Sequence, residues 1–247
     1  MTASLIGAIP TLPYFANQDT DLFENSLWTR GFSVRITRRE FVAGASFLAV
    51  AGSALLQSSL PALAQDLTNE ELLRPGPLPD LVQGKDDAPV TIIEYASMTC
   101  PHCAAFHKVT YPELKSKYID TGKVRFIFRE YPLDEVAVAA SMIARCAGGD
   151  KTMAMIDVLF NSQRTWAIRE PIPPLIQIAK QAGFTQKTFE ECLADQKLYT
   201  NIVAVRERAT KEYKVESTPT LFVNGKVQRG EISIQELDKV MQPYFKS

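Results

Sequence analysis

The chain has no excess of charge of either sign. Among its 247 residues, 27 are Lys or Arg and 28 are Asp or Glu, so the formal net charge at pH 7 is −1. Proteins that bind nucleic acids or anionic membrane surfaces carry clustered basic charge. The composition therefore supports neither role, and we expect no nucleic-acid partner.

The chain also lacks an apolar run strong enough for a permanent membrane span. The uncharged stretch at residues 41–65 is interrupted by Gly, Ser and Gln, which makes it weakly apolar. Arg38 and Arg39 precede it in a pattern that resembles the twin-arginine export motif, and it ends in an Ala-Leu-Ala cleavage pattern. We expect residues 1–64 to be a Tat export signal, cleaved after Ala64, so that the remainder reaches the periplasm. The alternative is a membrane anchor formed by the uncleaved signal.

Residues 1–36 form an extension that is atypical for an export signal. They include acidic residues and two prolines and show no periodicity. One hypothesis is that translation starts near Val34, which N-terminal sequencing of the precursor would test. The fold is therefore expected within residues 65–247.

Cysteine and histidine, the usual ligands of structural zinc and of haem, are few: the chain has four cysteines and two histidines. A c-type haem site needs His directly after the second cysteine of a CxxC motif, and position 104 is Ala. Cys100, Cys103 and His107 could face one zinc ion, but a structural zinc site needs a fourth ligand, and the chain has no second CxxC. We expect no metal and interpret His107 as an exposed helix residue, with structural zinc left as an alternative.

The motif Cys100-Pro101-His102-Cys103 is the most informative feature that is present. A predicted strand ends just before it and a predicted helix begins at it, so both cysteines fall in the first helical turn. Cys100 is expected at the N-cap, Pro101 at the first helical position and Cys103 at the third. The unpaired N–H groups and the positive end of the helix dipole favour a thiolate at Cys100, and His102 adds a further donor.

A redox role for this motif is favoured over a structural one. A disulfide across so short a loop contributes only about 2 kcal/mol through chain entropy, before ring strain is subtracted. An unperturbed cysteine has a pKa of about 8.5. A lowered pKa therefore gives an ionised nucleophile and leaving group at neutral pH. The motif therefore predicts thiol–disulfide exchange.

Predicted elements on both sides of the motif form a βαβ unit. Strands are predicted at residues 90–95 and 124–129, and the helix between them at residues 100–118. Two parallel strands joined by a crossover helix are right-handed in nearly all proteins. A short edge strand is also predicted near residues 81–82.

The second half of the chain changes to helical periodicity and then back to strands. Five helices are predicted within residues 133–213. Asn224-Gly225 then predicts a two-residue hairpin turn, and a capping box at Ser233 predicts a final helix. The order βαβ, helical block, ββα indicates an α/β fold, a thioredoxin-like core split by an inserted all-helical subdomain.

These patterns divide the exported part into four segments. Residues 65–86 are predicted to be an extended lead-in without a fold of its own. Residues 87–132 and 214–247 together form the thioredoxin-like core. Residues 133–213 form the helical insertion between the two halves of that core.

Over residues 87–247 the chain resembles the DsbA family of exported thiol:disulfide oxidoreductases. The resemblance rests on the CxxC motif, on Glu94 six residues before its first cysteine, on the helical insertion, and on Thr218-Pro219 before the hairpin. It implies a strongly lowered thiol pKa and an oxidising disulfide.

The resemblance also implies roles for individual residues. Cys100 resembles the exposed, attacking sulfur and Cys103 the buried, resolving one. Thr218-Pro219 resembles the cis-proline loop that lies against the active disulfide, and the Thr218 backbone is implied to pair with an extended substrate segment. A trans proline at the edge of the strand is the alternative.

Glu94 interrupts an otherwise apolar strand. Burial raises the pKa of a carboxyl group, so a buried Glu94 can exchange a proton with Cys103 as the disulfide opens or closes. The alternative is a carboxylate that faces outward from a half-exposed strand. We favour the buried position.

Cys146 and Cys192 have no counterpart in the simplest family members. We expect them to form a structural disulfide within the insertion, where a loop of about 47 residues gives about 4 kcal/mol of stabilisation. Two free buried thiols, or a second redox pair that modulates the first, are the alternatives.

We therefore predict an enzyme that donates its Cys100–Cys103 disulfide to reduced or unfolded exported proteins, with no cofactor beyond that disulfide. The resemblance implies reoxidation by a quinone-linked membrane oxidase of the DsbB type, and we expect a monomer. One alternative is a periplasmic disulfide isomerase or reductase. A second, of a different class, is a redox-inert binding or chaperone module with structural zinc.

Overall fold

The computed structural model of the protein describes residues 67–245. The predicted export signal, its cleavage site and the hypothetical translation start near Val34 lie outside the described residues. The strands are β1 Leu81–Gln83, β2 Val90–Ala96, β3 Val124–Glu130, β4 Thr220–Val223 and β5 Lys226–Arg229. The helices are α1 Asn69–Leu72, α2 Pro101–Leu114, α3 Glu135–Ala147, α4 Lys151–Asn161, α5 Gln163–Trp166, α6 Ile172–Gln181, α7 Gln186–Leu193, α8 Gln196–Tyr213 and α9 Ile234–Met241.

The five strands form one mixed sheet in the order β1-β3-β2-β4-β5. Strands β2 and β3 are parallel, and α2 connects them as the predicted crossover helix. The other three pairs are antiparallel. Beyond Leu114, α2 continues as a π-helical turn, Lys115–Ile119. The predicted βαβ unit is confirmed.

Strand β2 is buried on both faces and lies at the centre of the sheet. Alternate side chains of a strand point to opposite faces. Ile92 and Ala96 belong to the larger hydrophobic cluster, which also contains Cys103 of α2, whereas Tyr95 belongs to a second cluster on the other face. Glu94 stands between Ile92 and Ala96 in this alternation, so its side chain points toward α2.

Helices α3 to α8 lie between β3 and β4 along the chain. Five of them correspond to the predicted helices, whereas α5 was not predicted. Its four residues span about one turn, which is too short to give a detectable helical period. Within residues 67–245, no helix is both long and apolar enough to cross a membrane.

The lead-in differs from the prediction of an extended segment. It contains α1, which begins at a capping box formed by Thr68 and Glu71. Leu72 of α1 is fully buried in the second hydrophobic cluster, and the Tyr213 hydroxyl donates a hydrogen bond to the Glu71 carbonyl. Burial of one leucine therefore holds this short helix against the core, which the proline-rich sequence did not indicate.

The hairpin turn occurs where the sequence predicted it. Asn224 and Gly225 both have positive φ angles, 45° and 89°, as a type I′ turn requires. The Asn224 side chain accepts a hydrogen bond from the Thr91 N–H of β2 at 2.7 Å, so the turn is fixed to the central strand. The final helix α9 begins at the predicted capping box of Ser233 and Glu236.

Candidate active site

The CxxC motif lies at the start of α2, a few residues after the end of β2. Cys100 is the N-cap residue, with an extended backbone (φ −75°, ψ 121°), and Pro101 begins the helix. The missing N–H of proline has no cost at this position, because it would have no helical partner. Both cysteines of the motif therefore lie in the first turn, where free N–H groups point outward along the helix axis.

Cys100 and Cys103 are free thiols and both are buried. Cys103 is 0% exposed and Cys100 only 5%, so the expectation of an exposed Cys100 is wrong for this conformation. The Cys100 Sγ donates a hydrogen bond to the Thr218 carbonyl at 3.3 Å. The loop that precedes β4 thus lies against the sulfur and covers it.

The surroundings of Cys100 lower its pKa to about 5. The largest cause is a hydrogen bond with the Cys103 side chain, and desolvation by burial opposes it. The Thr218 side chain and the backbone N–H groups of Cys103 and His102 lower the pKa further. The first turn of α2 therefore supplies groups that stabilise a thiolate at neutral pH.

Cys103 has the opposite character. Burial, the hydrogen bond with Cys100 and the negative charge of Glu94 all raise the pKa of Cys103 above its ordinary value. In the reduced protein Cys103 is therefore a thiol while Cys100 is a thiolate. This asymmetry distinguishes the two sulfurs chemically: Cys100 is the better leaving group, and Cys103 needs a proton acceptor before it can attack.

The loop before β4 completes the site on the side opposite the helix. The Thr218–Pro219 peptide bond is cis. The Thr220 hydroxyl donates a hydrogen bond to the Ser217 carbonyl at 2.7 Å, which closes the loop on itself. Thr218 is thereby placed with its carbonyl toward Cys100.

His102 lies at the surface of the site. Its Nδ1 is 3.5 Å from Oε2 of Glu231, and both side chains are largely accessible to solvent. This surface pair is of a kind that contributes little to stability. His102 is thus next to the sulfurs in sequence, and its backbone N–H is the part that acts on Cys100.

Gln163, which was not predicted, holds the turn that carries Cys100. Its buried Nε2 donates hydrogen bonds to the Met98 carbonyl at 2.8 Å and to the Cys100 carbonyl at 2.9 Å. Gln163 is in α5, so the helical insertion directly fixes the backbone of the motif. One glutamine in a four-residue helix gives no sequence pattern that could have identified it.

His107 contradicts the prediction of an exposed helix residue. Its side chain is fully buried, and Nε2 lies 2.9 Å from Oε2 of Glu94, which is also fully buried. Cys103 and His107 are four residues apart, and residues at this spacing share one face of a helix. That face points toward β2, so the second histidine of the chain turns inward, where it meets Glu94.

Glu94 is in the buried position that the sequence favoured. Its Oε1 has no hydrogen-bond partner among the described residues. A second acidic side chain, that of Asp157 of α4, lies on the other side of the His107 ring. Oδ1 of Asp157 is 3.5 Å from Nδ1 of His107. Asp157 was not predicted, because nothing in the sequence relates α4 to a histidine that was expected to face solvent.

Cys146 of α3 and Cys192 of α7 are joined by a disulfide bond. It connects two helices of the insertion. Neither residue belongs to the hydrophobic cluster that contains Cys100 and Cys103.

As for metal binding, residues 67–245 contain no group of three or more His, Cys, Asp or Glu side chains arranged to hold an ion.

A mixed sheet, a crossover helix that begins with a CxxC pair, and a proline loop against the first sulfur define a thioredoxin-like protein. The chain belongs to the thioredoxin family: the family model described as Thioredoxin matches residues 78–242. The predicted α/β fold with a thioredoxin-like core is confirmed.

Solved structures and curated relatives refine this assignment. The crystal structure of Wolbachia pipientis alpha-DsbA1 has a TM-score of 0.66 and 32% sequence identity, and the match covers 72% of this chain and 97% of that chain. Oxidised BdbD from Bacillus subtilis has a TM-score of 0.60 and 25% identity, over 68% and 94% of the two chains. The predicted resemblance to DsbA proteins is confirmed.

A curated relative from Rickettsia bellii, described as "Putative protein-disulfide oxidoreductase", is 36% identical over 160 residues. The match covers 64% of this chain and 61% of the relative. The chain thus spans about three fifths of the length of the curated relatives that it matches first.

Proposed function

We propose that the protein is a thiol:disulfide oxidoreductase that donates the Cys100–Cys103 disulfide to reduced or unfolded exported proteins. The observation that carries the proposal is the pair of free thiols in the first turn of α2, where the surroundings favour a thiolate at Cys100 and a protonated thiol at Cys103. Stabilising this thiolate stabilises the reduced protein, which makes its disulfide the stronger oxidant.

The reaction takes place in two exchange steps. A thiolate of the substrate attacks Cys100 Sγ of the oxidised protein, the Cys100–Cys103 bond breaks, and Cys103 leaves with the electron pair. A second thiolate of the substrate then attacks the mixed disulfide and releases Cys100 as a thiolate. The substrate is oxidised by two electrons and the protein is reduced by two, so the disulfide itself is the oxidant and no further cofactor takes part.

The loop at Thr218 is the proposed binding site for the substrate chain. It lies against Cys100, so an extended segment bound to it brings a cysteine of the segment to the sulfur. Strand addition of this kind derives affinity from main-chain hydrogen bonds and is tolerant of sequence. That tolerance suits an enzyme whose clients share only a pair of reduced cysteines.

Export and reoxidation complete the proposal. The twin-arginine pattern before residues 41–65 supports export to the periplasm, with cleavage after Ala64. Donation of a disulfide leaves Cys100 and Cys103 reduced, so turnover requires an electron acceptor, for which we propose a quinone-linked membrane oxidase of the DsbB type. We propose that the protein acts as a monomer.

The equilibrium between the Cys100–Cys103 pair and glutathione tests the proposal most sharply. A donor is expected to stay reduced in mixtures where most of the glutathione is oxidised, and to oxidise a dithiol peptide stoichiometrically. A pair that is oxidised by mildly oxidising mixtures would instead indicate a reductase or isomerase. The comparisons give no support to the alternative of a redox-inert module with structural zinc.

A further inference from the structure

Two buried groups, His107 and Glu94, and the partly exposed Asp157 meet behind the CxxC motif, although burial of charge is costly. The His107 ring lies between the carboxylates of Glu94 and Asp157 and stacks on Phe160, with 4.3 Å between ring centroids. Replacing a buried ion pair by apolar residues of similar size is often neutral or stabilising. Stability alone therefore does not account for charges at this position.

His107 and Glu94 lie on the side of α2 that carries Cys103. His107 is one helical turn after Cys103, and Glu94 of β2 points toward the same face of the helix. Because His107 Nε2 lies 2.9 Å from Glu94 Oε2, the carboxylate lies against the helix face that carries Cys103, and its charge contributes to the raised pKa of Cys103. Oε2 of Glu94 is engaged by His107, whereas its buried Oε1 has no hydrogen-bond partner among the described residues.

We propose that His107 and Glu94 form a buried proton reservoir for Cys103, which supplies a proton when the disulfide opens and takes it back when the disulfide closes. Asp157 acts as a positioning residue that keeps the reservoir charged. The inference rests on the proposed thiol–disulfide exchange and deepens it, because proton exchange between Glu94 and Cys103 is expected from the sequence and the structure adds His107 as the source of the proton.

The opening step transfers one proton from His107 to Cys103. As the attacking thiolate bonds to Cys100 Sγ, the S–S bond breaks and its electron pair remains on Cys103 Sγ. The proton on Nε2 of the His107 imidazolium passes through the Glu94 carboxyl group to this sulfur. The products are a mixed disulfide, a Cys103 thiol and a neutral imidazole. Closure reverses each transfer, so the reservoir is restored in every cycle.

The charges around the ring favour the loaded form of the reservoir. Desolvation lowers the pKa of His107, but the carboxylates of Glu94 and Asp157 outweigh it and raise the pKa to about 9. Tyr111 of α2 also contacts the ring, and burial raises the pKa of its hydroxyl, so it stays neutral. Phe128 of β3 and Phe160 of α4 contribute no charge.

The test is the pH dependence of disulfide opening in the full-length protein. The oxidised protein is mixed with excess reduced glutathione, and samples are quenched with acid at successive times and alkylated. Mass spectrometry then gives the fraction of protein whose disulfide has opened. The second-order rate constant is then divided by the fraction of glutathione that is ionised. For the wild type, we expect this corrected constant to fall as the pH rises through about 9, where His107 loses its proton.

Two variants separate the reservoir from a structural role. His107→Gln is expected to lose the fall at high pH and to open about 10²-fold more slowly at pH 7, which is the lower range for general acid catalysis. Asp157→Asn keeps the histidine but removes one carboxylate, so the fall is expected to shift to lower pH. Asp157 is partly exposed, which makes this variant the safer one to fold.

Arg145→Gln is the matched control. It breaks another largely buried ion pair, that of Arg145 with Glu130, and is expected to keep the wild-type pH profile. The proposal is overturned if folded His107→Gln retains both the fall and the wild-type rate, or, should that variant not fold, if Asp157→Asn leaves the profile unchanged. Because glutathione opens the disulfide whatever the physiological direction, a protein that fails to oxidise dithiol peptides but shows the shifted profiles refutes only the proposed function.

Discussion

Two cysteine pairs occupy this molecule, and their surroundings differ in almost every respect. Cys100 and Cys103 lie within one helical turn, are free thiols, and have pKa values shifted in opposite directions. Cys146 and Cys192 lie on separate helices 46 positions apart and are joined. A short loop gains little from a disulfide, whereas a long loop gains much. The first pair is therefore suited to exchange and the second to cross-linking.

The groups that contact the sulfurs also differ between the two pairs. The N–H groups of the helix start can stabilise a thiolate at Cys100. The loop at Thr218 contacts the same sulfur. The Cys192 sulfur contacts the Met142 carbonyl, which only accepts hydrogen bonds. Cys100 also contacts a carbonyl, that of Thr218, so the first pair is distinguished by the N–H groups of the helix start, which stabilise a thiolate.

The largest expected effect concerns the first pair. Cys100→Ser is expected to reduce oxidation of a dithiol peptide to the uncatalysed rate, because the sulfur that forms the mixed disulfide is gone. Cys103→Ser should instead accumulate mixed disulfides with substrate, detectable on non-reducing gels. Turnover that survives in Cys100→Ser, or trapping that fails in Cys103→Ser, would contradict the assigned roles.

The pH dependence of stability sharpens the comparison next. Since the pKa of Cys100 is lowered from an ordinary value near 9.0 to about 5, the unfolded protein binds more protons between these limits, and the reduced protein gains stability as pH rises. The gain relative to the oxidised protein is at most about 5 kcal/mol, and it is lost again as pH falls toward 5. Urea unfolding of both forms between pH 5 and 9 measures it.

Two features of this experiment isolate Cys100. The pKa of His107 is raised to about 9, so its contribution is complete below its unfolded value of 6.5 and is lost as pH rises toward 9. That term opposes the gain, and reduced Cys100→Ser, which keeps His107, measures it separately. Reduced Cys100→Ser should lack the gain, and equal slopes for this variant and the wild type would show that another group titrates.

The second pair is expected to matter for stability and not for turnover. A double substitution of Cys146 and Cys192 by Ser should lower the free energy of unfolding by up to about 4 kcal/mol, because the loop between them is no longer closed in the unfolded chain. Peptide oxidation below the melting temperature should be unchanged. Loss of activity with unchanged stability would instead identify a regulatory disulfide.

The smallest effect is expected where the insertion meets the motif. Gln163→Leu leaves the Met98 carbonyl without its donor, at a cost of about 1–3 kcal/mol in unfolding free energy, and loosens the turn that carries Cys100. Thiolate formation should then shift to a higher pH than in the wild type. Arg164→Ala, which alters an exposed neighbour in the same helix, serves as the control and should change neither quantity.

Sequence patterns predicted the elements that have a clear period or motif. The βαβ unit, the hairpin at Asn224-Gly225 and the capping box at Ser233 all depend on residues a few positions apart, and the structure has them. The first turn of α2 was predictable for the same reason, because proline and two cysteines at fixed spacing specify it.

The residues that were missed act across long distances in the chain. Gln163 reaches the motif from the insertion, Asp157 reaches His107 from α4, and Leu72 packs a short helix onto the far side of the sheet. None of these contacts follows from local periodicity, because each depends on how distant segments pack. His107 was wrongly expected to be exposed because its partner Glu94 is separated from it by a strand end, a loop and two helical turns.

Ultraviolet absorbance titration of the thiolate tests the central claim most directly. The reduced protein is suited to it, because Cys103 stays protonated and the second pair is held as a disulfide, so Cys100 alone contributes below pH 9; reduced Cys100→Ser is the blank. An ionisation near pH 5 is the result that the account predicts. A Cys100 that remains a thiol into mildly alkaline solution would contradict it.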